Sequence, residues 1–291
     1  MALSAQVVLT PTESKRLLSK AVLALSEVKK ALDGGIVVIH PSSTTIFMLG
    51  ELGYTLPEGG IWVCGHISPK GLCISRGMLD AVTSTPDYGP EHYPFDLVLQ
   101  KGKLLPIGAS TLGPTLNKMT AEDVYVKSVN AIDPDGKLGV LLAGRSSGGS
   151  IGLVLNRQKQ IKFKMIIPVG LEKRISVSLA EAQKAAIKTT KAQGIPCGLW
   201  QLRGMLITEV EAFRQLFDVN AIPISAGGIE GAEGAVVWVL EGDDAKVQKA
   251  YDVCQEIHGT KPPYLLDTYE CDKCPNGLCD FAGSKNTAMK A

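Results

Sequence analysis

The sequence carries almost no net charge. Its 30 Lys and Arg offset 29 Asp and Glu, leaving +1, so no global field recruits nucleic acid or an anionic membrane. It lacks any apolar run near the roughly 18 residues that span a bilayer. Its opening residues, MALSAQVVLT, lack the charged n-region and long apolar stretch of a secretory signal. Seven cysteines, an odd number unevenly spread, argue against a disulfide framework and fit a reducing compartment. A cytoplasmic location is therefore expected. No P-loop and no GxGxxG fingerprint occurs. No Ser-His-Asp, Cys-His or HExxH arrangement can be read, and the four histidines, His40, His66, His92 and His258, are scattered. Repeats and low-complexity tracts are missing too. No reaction follows from any motif.

What is present is an ordinary core-forming composition, with 45% hydrophobic and 20% charged residues over 291 positions, enough for one large or two ordinary domains. Thr10-Pro11-Thr12-Glu13 reads as a capping box with Pro at the first helical position. Leu17, Leu18, Ala21, Val22, Leu25, Val28 and Leu32 then recur at helical spacing up to a stop at Asp33-Gly34-Gly35. A buried-type strand at 36–39, the small-residue loop His40-Pro41-Ser42-Ser43-Thr44-Thr45 and a short apolar helix at 46–52 follow.

The stretch 124–170 repeats that plan. A strand, the turn Asp133-Pro134-Asp135-Gly136 and a second strand at 138–143 precede the loop Arg145-Ser146-Ser147-Gly148-Gly149-Ser150. A helix and the strand at 165–169 complete it. Two strand–loop–helix units suggest a parallel sheet whose ligands bind at the carboxyl ends of its strands. Between them, 54–107 reads as an irregular insertion, with three prolines in the nine residues 86–94 and a hairpin split by Lys101-Gly102. It is either a lid or a surface excursion.

From Pro196 the order β-α-β-β-α-β looks ferredoxin-like, with capping residues at Thr208-Glu211 and a last strand at 264–266. The expected fold is thus α/β: a parallel-sheet, Rossmann-like domain over 1–194, a small C-terminal α+β ferredoxin-like domain over 195–267, and a Cys-rich tail over 268–291 with a frayed end.

Two constellations point to binding. In the first, Ser42, Ser43, Thr44 and Thr45 pair with Arg145, Ser146, Ser147, Gly148, Gly149 and Ser150, and Asn130 follows the strand at 124–126. Hydroxyls and unpaired amides at helix starts suit a small anionic metabolite, such as a sugar phosphate, a CoA ester or a nucleotide. The same residues also serve as plain helix caps and close-packing glycines. In the second, Cys271, Cys274 and Cys279 lie within nine residues around a Pro-Asn-Gly turn and can converge on zinc or an iron–sulfur cluster. Cys64, Cys73, Cys197, Cys254 or a histidine would supply the fourth ligand. Reduced or redox-labile thiols are the other reading. Cys64, His66 and Cys73 could also donate ligands, although a Cys beside Trp62 and Val63 suits a core. Glu172-Lys173-Arg174 at a strand end, and His40 after another, read as a solvated loop and a hydrogen-bonded strand-end residue.

The segment Asn130-Ala131-Ile132-Asp133-Pro134-Asp135-Gly136-Lys137-Leu138-Gly139, with Gly148-Gly149 and the strand IIPVG, resembles the superfamily of ribose-5-phosphate isomerases, CoA-transferases and lactate-utilisation proteins. The resemblance centres on 130–170. It implies a parallel-sheet fold that binds sugar phosphates, acyl-CoA or related anions at strand ends. The acidic stretch of the isomerases and the glutamate segment of the transferases are missing, so the resemblance carries over no catalytic residue. The resulting expectation is a binder of a small anionic metabolite. An isomerase or acyl-transfer enzyme, and a metal- or redox-responsive protein acting through its cysteines, are the alternatives. Neither nucleic acid nor membrane is an expected partner, and the ferredoxin-like part is where a homo-oligomer would form.

Overall fold

The computed structural model describes residues 3–55, 64–85, 89–143, 148–262 and 267–283. The expected capping box forms. The Thr10 side chain accepts from the Glu13 amide, and Glu13 accepts from the Thr10 amide at 2.7 Å. This starts α1 (Pro11–Ala24) behind β1 (Ser4–Leu9). The single helix expected as far as residue 33 breaks at Leu25, whose extended backbone (ψ 137°) separates α1 from α2 (Ser26–Gly34). There follow β2 (Ile36–Ile39), the short α3 (Phe47–Glu51), β3 (Gly65–Ser68), β4 (Gly71–Ile74), α4 (Arg76–Ser84), β5 (Leu97–Gln100), β6 (Lys103–Leu104) and α5 (Leu112–Lys118). The central stretch supplies β7 (Val124–Val126), β8 (Ala131–Ile132), β9 (Leu138–Ala143), α6 (Gly149–Ile161) and β10 (Lys164–Pro168). After it come α7 (Leu179–Ile187), β11 (Cys197–Leu202), β12 (Met205–Ile207), α8 (Glu209–Phe217), β13 (Asn220–Gly227), β14 (Ala235–Glu241) and α9 (Asp244–Ile257).

Six strands form one mostly parallel sheet in the order β12-β10-β7-β2-β5-β6. The first four are parallel, and β5 and β6 extend the sheet antiparallel. The two-residue period of each strand feeds both faces. Val37, Ile39, Val124, Val126 and Ile166 face a core completed by α1, α8 and α9. Ile36, Val38, Tyr125, Met165 and Ile167 face a second core, completed by α5 and α6. The chain is therefore mixed α/β with helices on both sides of the sheet. Among the described residues, no helix is long and apolar enough to cross a membrane.

Three pairings depart from the sequence reading. The hairpin placed in the irregular insertion belongs to the main sheet, because β5 pairs with all four residues of β2. β9, read as a strand of the parallel sheet, sits in a separate antiparallel sheet, β11-β9-β8, where β11 matches its six residues from end to end. The order read as ferredoxin-like also pairs otherwise. β12 lies parallel to β10 at the edge of the main sheet, while β13 and β14 take β1 as their third strand. Short apolar runs join whichever sheet edge is open to them, and periodicity does not say which. The strand expected at 264–266 lies outside the described residues.

Candidate functional site

The loop at 42–45 leaves the carboxyl end of β2 as expected, but it closes on itself. Ser42 Oγ accepts from the Thr44 and Thr45 amides at 3.2 and 3.0 Å, and the Thr45 hydroxyl donates to the His40 carbonyl at 2.6 Å. Thr44 and Thr45 are fully buried, and Ser43 is half-buried. α3 behind the loop has only five residues, too short to gather a useful dipole. The amides meant for an anion are thus largely used within the turn.

Of the second loop, Arg145, Ser146 and Ser147 lie outside the described residues. Gly148 (φ 73°) and Gly149 (φ 51°) lead into α6, with Ser150 in its first turn. A Cβ on Gly148 would lie 3.0 Å from the Trp200 ring and 3.1 Å from Gly152 Cα. Gly148 therefore lets the helix start pack tightly on β11. Gly148→Ala is expected to cost about 1–2 kcal/mol, measured as a lower urea midpoint at unchanged slope. Asn130 uses its side-chain oxygen on the Leu141 amide at 3.0 Å, bracing the β8–β9 hairpin. Ser42, Thr45 and Asn130 are thus engaged within their own turn and hairpin.

The rim of the main sheet gathers a different set. Strand register puts the residues after β2 and β7, His40 and Lys127, beside each other, with Asp96, just before antiparallel β5, next to His40. His40 Nδ1 lies 2.8 Å from Asp96 Oδ1, and the Tyr125 hydroxyl donates to Asp96 Oδ2 at 3.0 Å. Tyr93 stacks on the imidazole with centroids 5.4 Å apart. Burial lowers the His40 pKa, and the Lys127 charge adds to this against the pull of Asp96. The ring is then neutral at pH 7, with Nδ1–H toward Asp96 and Nε2 as its basic nitrogen. Burial also raises the Tyr125 phenol well above its ordinary range, and it pushes the half-buried Cys64 thiol up to about 11.

Lys127 is the anomaly in this cluster. It is only 7% exposed, and burial brings its ammonium down to about 8 against the pull of Asp96 and Cys64. Asp96 and Cys64 act on it through charge alone, with no hydrogen bond to its Nζ among the described residues. Keeping this ammonium charged costs free energy, and a strongly shifted group at the carboxyl rim of a parallel sheet marks a candidate binding site.

The rim continues along β10 and β12. Lys173, in the single turn Leu171–Lys173 after β10, reaches back to the Val129 carbonyl at 3.1 Å and the Ser128 hydroxyl at 3.4 Å. Ser128 in turn donates to Thr44 Oγ1 at 3.3 Å. Burial lowers Lys173 to about 8, with Glu172 opposing. Glu209 opens α8 after β12, is 1% exposed, and accepts from the Ser14 hydroxyl and from the Leu171 amide at 3.0 Å. Burial lifts its carboxyl from 4.5 to about 7. Such a group stabilises the fold below its unfolded pKa and loses that contribution as pH rises through the folded value. Stability should therefore fall by roughly 3 kcal/mol between pH 4.5 and 7 on account of Glu209. Glu209→Gln keeps an acceptor for Ser14 and Leu171 and should remove that fall, as urea unfolding at the two pH values would show.

The cysteine-bearing segment 267–283 packs against β4 and α4. The Arg76 amide donates to the Asp267 carbonyl at 2.6 Å, and the Arg76 guanidinium pairs with the Asp267 carboxylate at 3.2 Å and lies 4.6 Å over the Tyr269 ring. The Tyr269 hydroxyl donates to Asp80 at 2.6 Å. The Gly283 amide returns to the Cys271 carbonyl at 2.7 Å, closing a loop that holds Cys271, Cys274 and Cys279. These three thiols and Cys73 of β4 line one cavity, together with Lys70 and Tyr269. Burial raises the Cys73 thiol; Ser68 opposes this, and Cys279 and Cys274 add to it. The thiols of Cys64, Cys73, Cys254, Cys271, Cys274 and Cys279 are free. Among the described residues, no three His, Cys, Asp or Glu side chains already stand in a metal-holding arrangement. His66 faces Cys73 across the hairpin, and both its ring nitrogens are buried without a partner among the described residues.

No protein-family model matches the chain, and neither a curated protein nor a solved structure matches it.

Sequence reasoning passed over Lys127, Asp96 and Tyr125. One signal was available. Lys127 directly continues the strand Val124–Val126, and a charge at the end of a strand covered on both faces has little access to water.

Proposed function

We propose that the chain binds a small anionic metabolite at the carboxyl rim of its parallel strands, in a part of the fold we read as Rossmann-like, with Lys127 meeting the negative charge. One observation carries the reading: an ammonium on a buried side chain, with no hydrogen bond or ion pair to its Nζ among the described residues, beside the His40–Asp96 pair. Rims of this kind are where open α/β sheets bind ligands. Sugar phosphates, CoA esters and nucleotides are the classes to screen. A binder at 100-fold its Kd should stabilise the protein by about 2.7 kcal/mol, and the shift should be lost in Lys127→Met. No thermal shift with any of these anions at pH 7 would end the proposal.

The His40–Asp96 hydrogen bond favours a second reading, an enzyme of isomerase or acyl-transfer type. In it, neutral His40, held by Asp96, takes a proton from the bound molecule at Nε2. Incorporation of solvent deuterium into a metabolite that passes the screen, lost in His40→Gln while binding persists, is the expected result.

A further inference from the structure

We propose that Cys73, Cys271, Cys274 and Cys279 together hold one thiophilic metal centre, a zinc ion or an iron–sulfur cluster, that fastens the segment 267–283 to the β3–β4 hairpin. Four thiolates make a complete ligand set for either centre, and these four line the same cavity although Cys73 stands 198 positions before Cys271. The spacing of the tail alone provides three. Folding provides the fourth.

The hairpin side is fixed without any metal. The Leu72 amide donates to the Gln193 carbonyl at 3.1 Å, and the Leu72 carbonyl accepts from the Ile195 amide at 2.9 Å. Those bonds seat Cys73, the next residue. The tail side is a run of turns around the cavity, with Cys279 N donating to the Asn276 carbonyl at 3.2 Å and Ala282 N to the Cys279 carbonyl at 3.1 Å. Its regular structure among the described residues is the single turn Cys271–Lys273, and Leu278 points outward at 62% exposure. A segment this irregular has little apolar contact to order it, and structural metals commonly supply that order. When a zinc ion, or a preassembled cluster of iron and inorganic sulfide, enters, the four thiols lose their protons to solvent as four metal–sulfur bonds form, and the tail is drawn onto the hairpin. Lys70, at the cavity wall, offsets the negative charge that four thiolates bring.

The test uses the full chain, purified anaerobically and analysed for metals. About one zinc, or about two to four irons with matching sulfide, per chain is expected, and the element found tells the two centres apart. Cys73→Ser and Cys274→Ser should each lose the metal, and Cys197→Ser should keep it. If Cys73→Ser fails to fold, alkylation of the native chain decides instead. Cys73 should become reactive together with Cys271, Cys274 and Cys279 only after a chelator is added. The proposal is overturned if neither metal is retained or taken up from added Zn²⁺. It is equally overturned if Cys73 alkylates at one rate with and without chelator, or if metal survives Cys73→Ser but not His66→Ala.

Discussion

Lys127→Met is expected to make the ligand-free protein more stable at pH 7 by roughly 3 kcal/mol, while abolishing its stabilisation by anions. The Lys127 pKa falls from 10.5 in the open chain to about 8 in the fold. A depressed amine contributes stability that is present above the unfolded pKa and is lost as pH falls through the folded one. The full cost is therefore felt below pH 8, shrinks from there to 10.5, and vanishes above. Methionine has a similar reach and packs adaptably, so the substitution removes the charge without opening a large void. Other groups titrate in the same range, among them Cys64 and Cys254, whose thiols burial raises to about 11 and about 12. The Cys254 effect cancels when variant and wild type are compared at each pH, whereas Cys64 is coupled to Lys127 and adds a small residual above pH 9. Urea unfolding at pH 7, 9 and 10.5 should give a difference that narrows to that residual. A variant less stable than wild type throughout would mean that Lys127 serves the fold, and the ligand proposal would fail with it.

Gly194→Ala is expected to release the β3–β4 hairpin. Gly194 has φ 92°, and a Cβ there would lie 2.1 Å from the Leu72 carbonyl oxygen and 2.7 Å from the Leu72 nitrogen. These are backbone atoms, fixed by the same two hydrogen bonds that seat Cys73, so no side chain can swing aside. The methyl group must break both bonds, at about 1 kcal/mol each, and add about 1–2 kcal/mol of left-handed strain. Undocking the hairpin limits the damage. The measurement is therefore local: amide exchange should accelerate through β3 and β4 while the amides of β2 and β7 stay protected. Full protection of the hairpin in the variant would refute the close approach.

How far the sequence could be read follows from what is local. The capping boxes at Thr10 and Thr208 form as expected, because a cap is decided within four residues. The turn at 133–136 holds for the same reason, with the Gly136 amide on the Asp133 carbonyl at 3.0 Å. Which strand lies beside which was hidden. β12 and β1 find partners far along the chain, and no spacing rule encodes such a choice. The candidate site was legible in the same uneven way. The strand-end loops stood out because small residues are conspicuous, yet Ser42 uses them for its own turn. Lys127 and Asp96 are single residues brought together by register between strands, which only folding shows. For the cysteines, the sequence offered three ligands in a row and left Cys73 as one of several options for the fourth.

The pairing of β1 with β14 has a consequence for how the chain is made. Emerging from a ribosome, Ser4–Leu9 must wait until Ala235–Glu241 has been synthesised before its edge is covered. The core that includes Leu9, Leu17, Phe213 and Val247 stays open for the same interval. Closure over such a separation is entropically slow and leaves an apolar strand bare in the meantime. Nascent chains stalled before residue 235 should therefore lean on chaperones, whereas release of the finished strand should let the first and last layers lock together in one late, cooperative step.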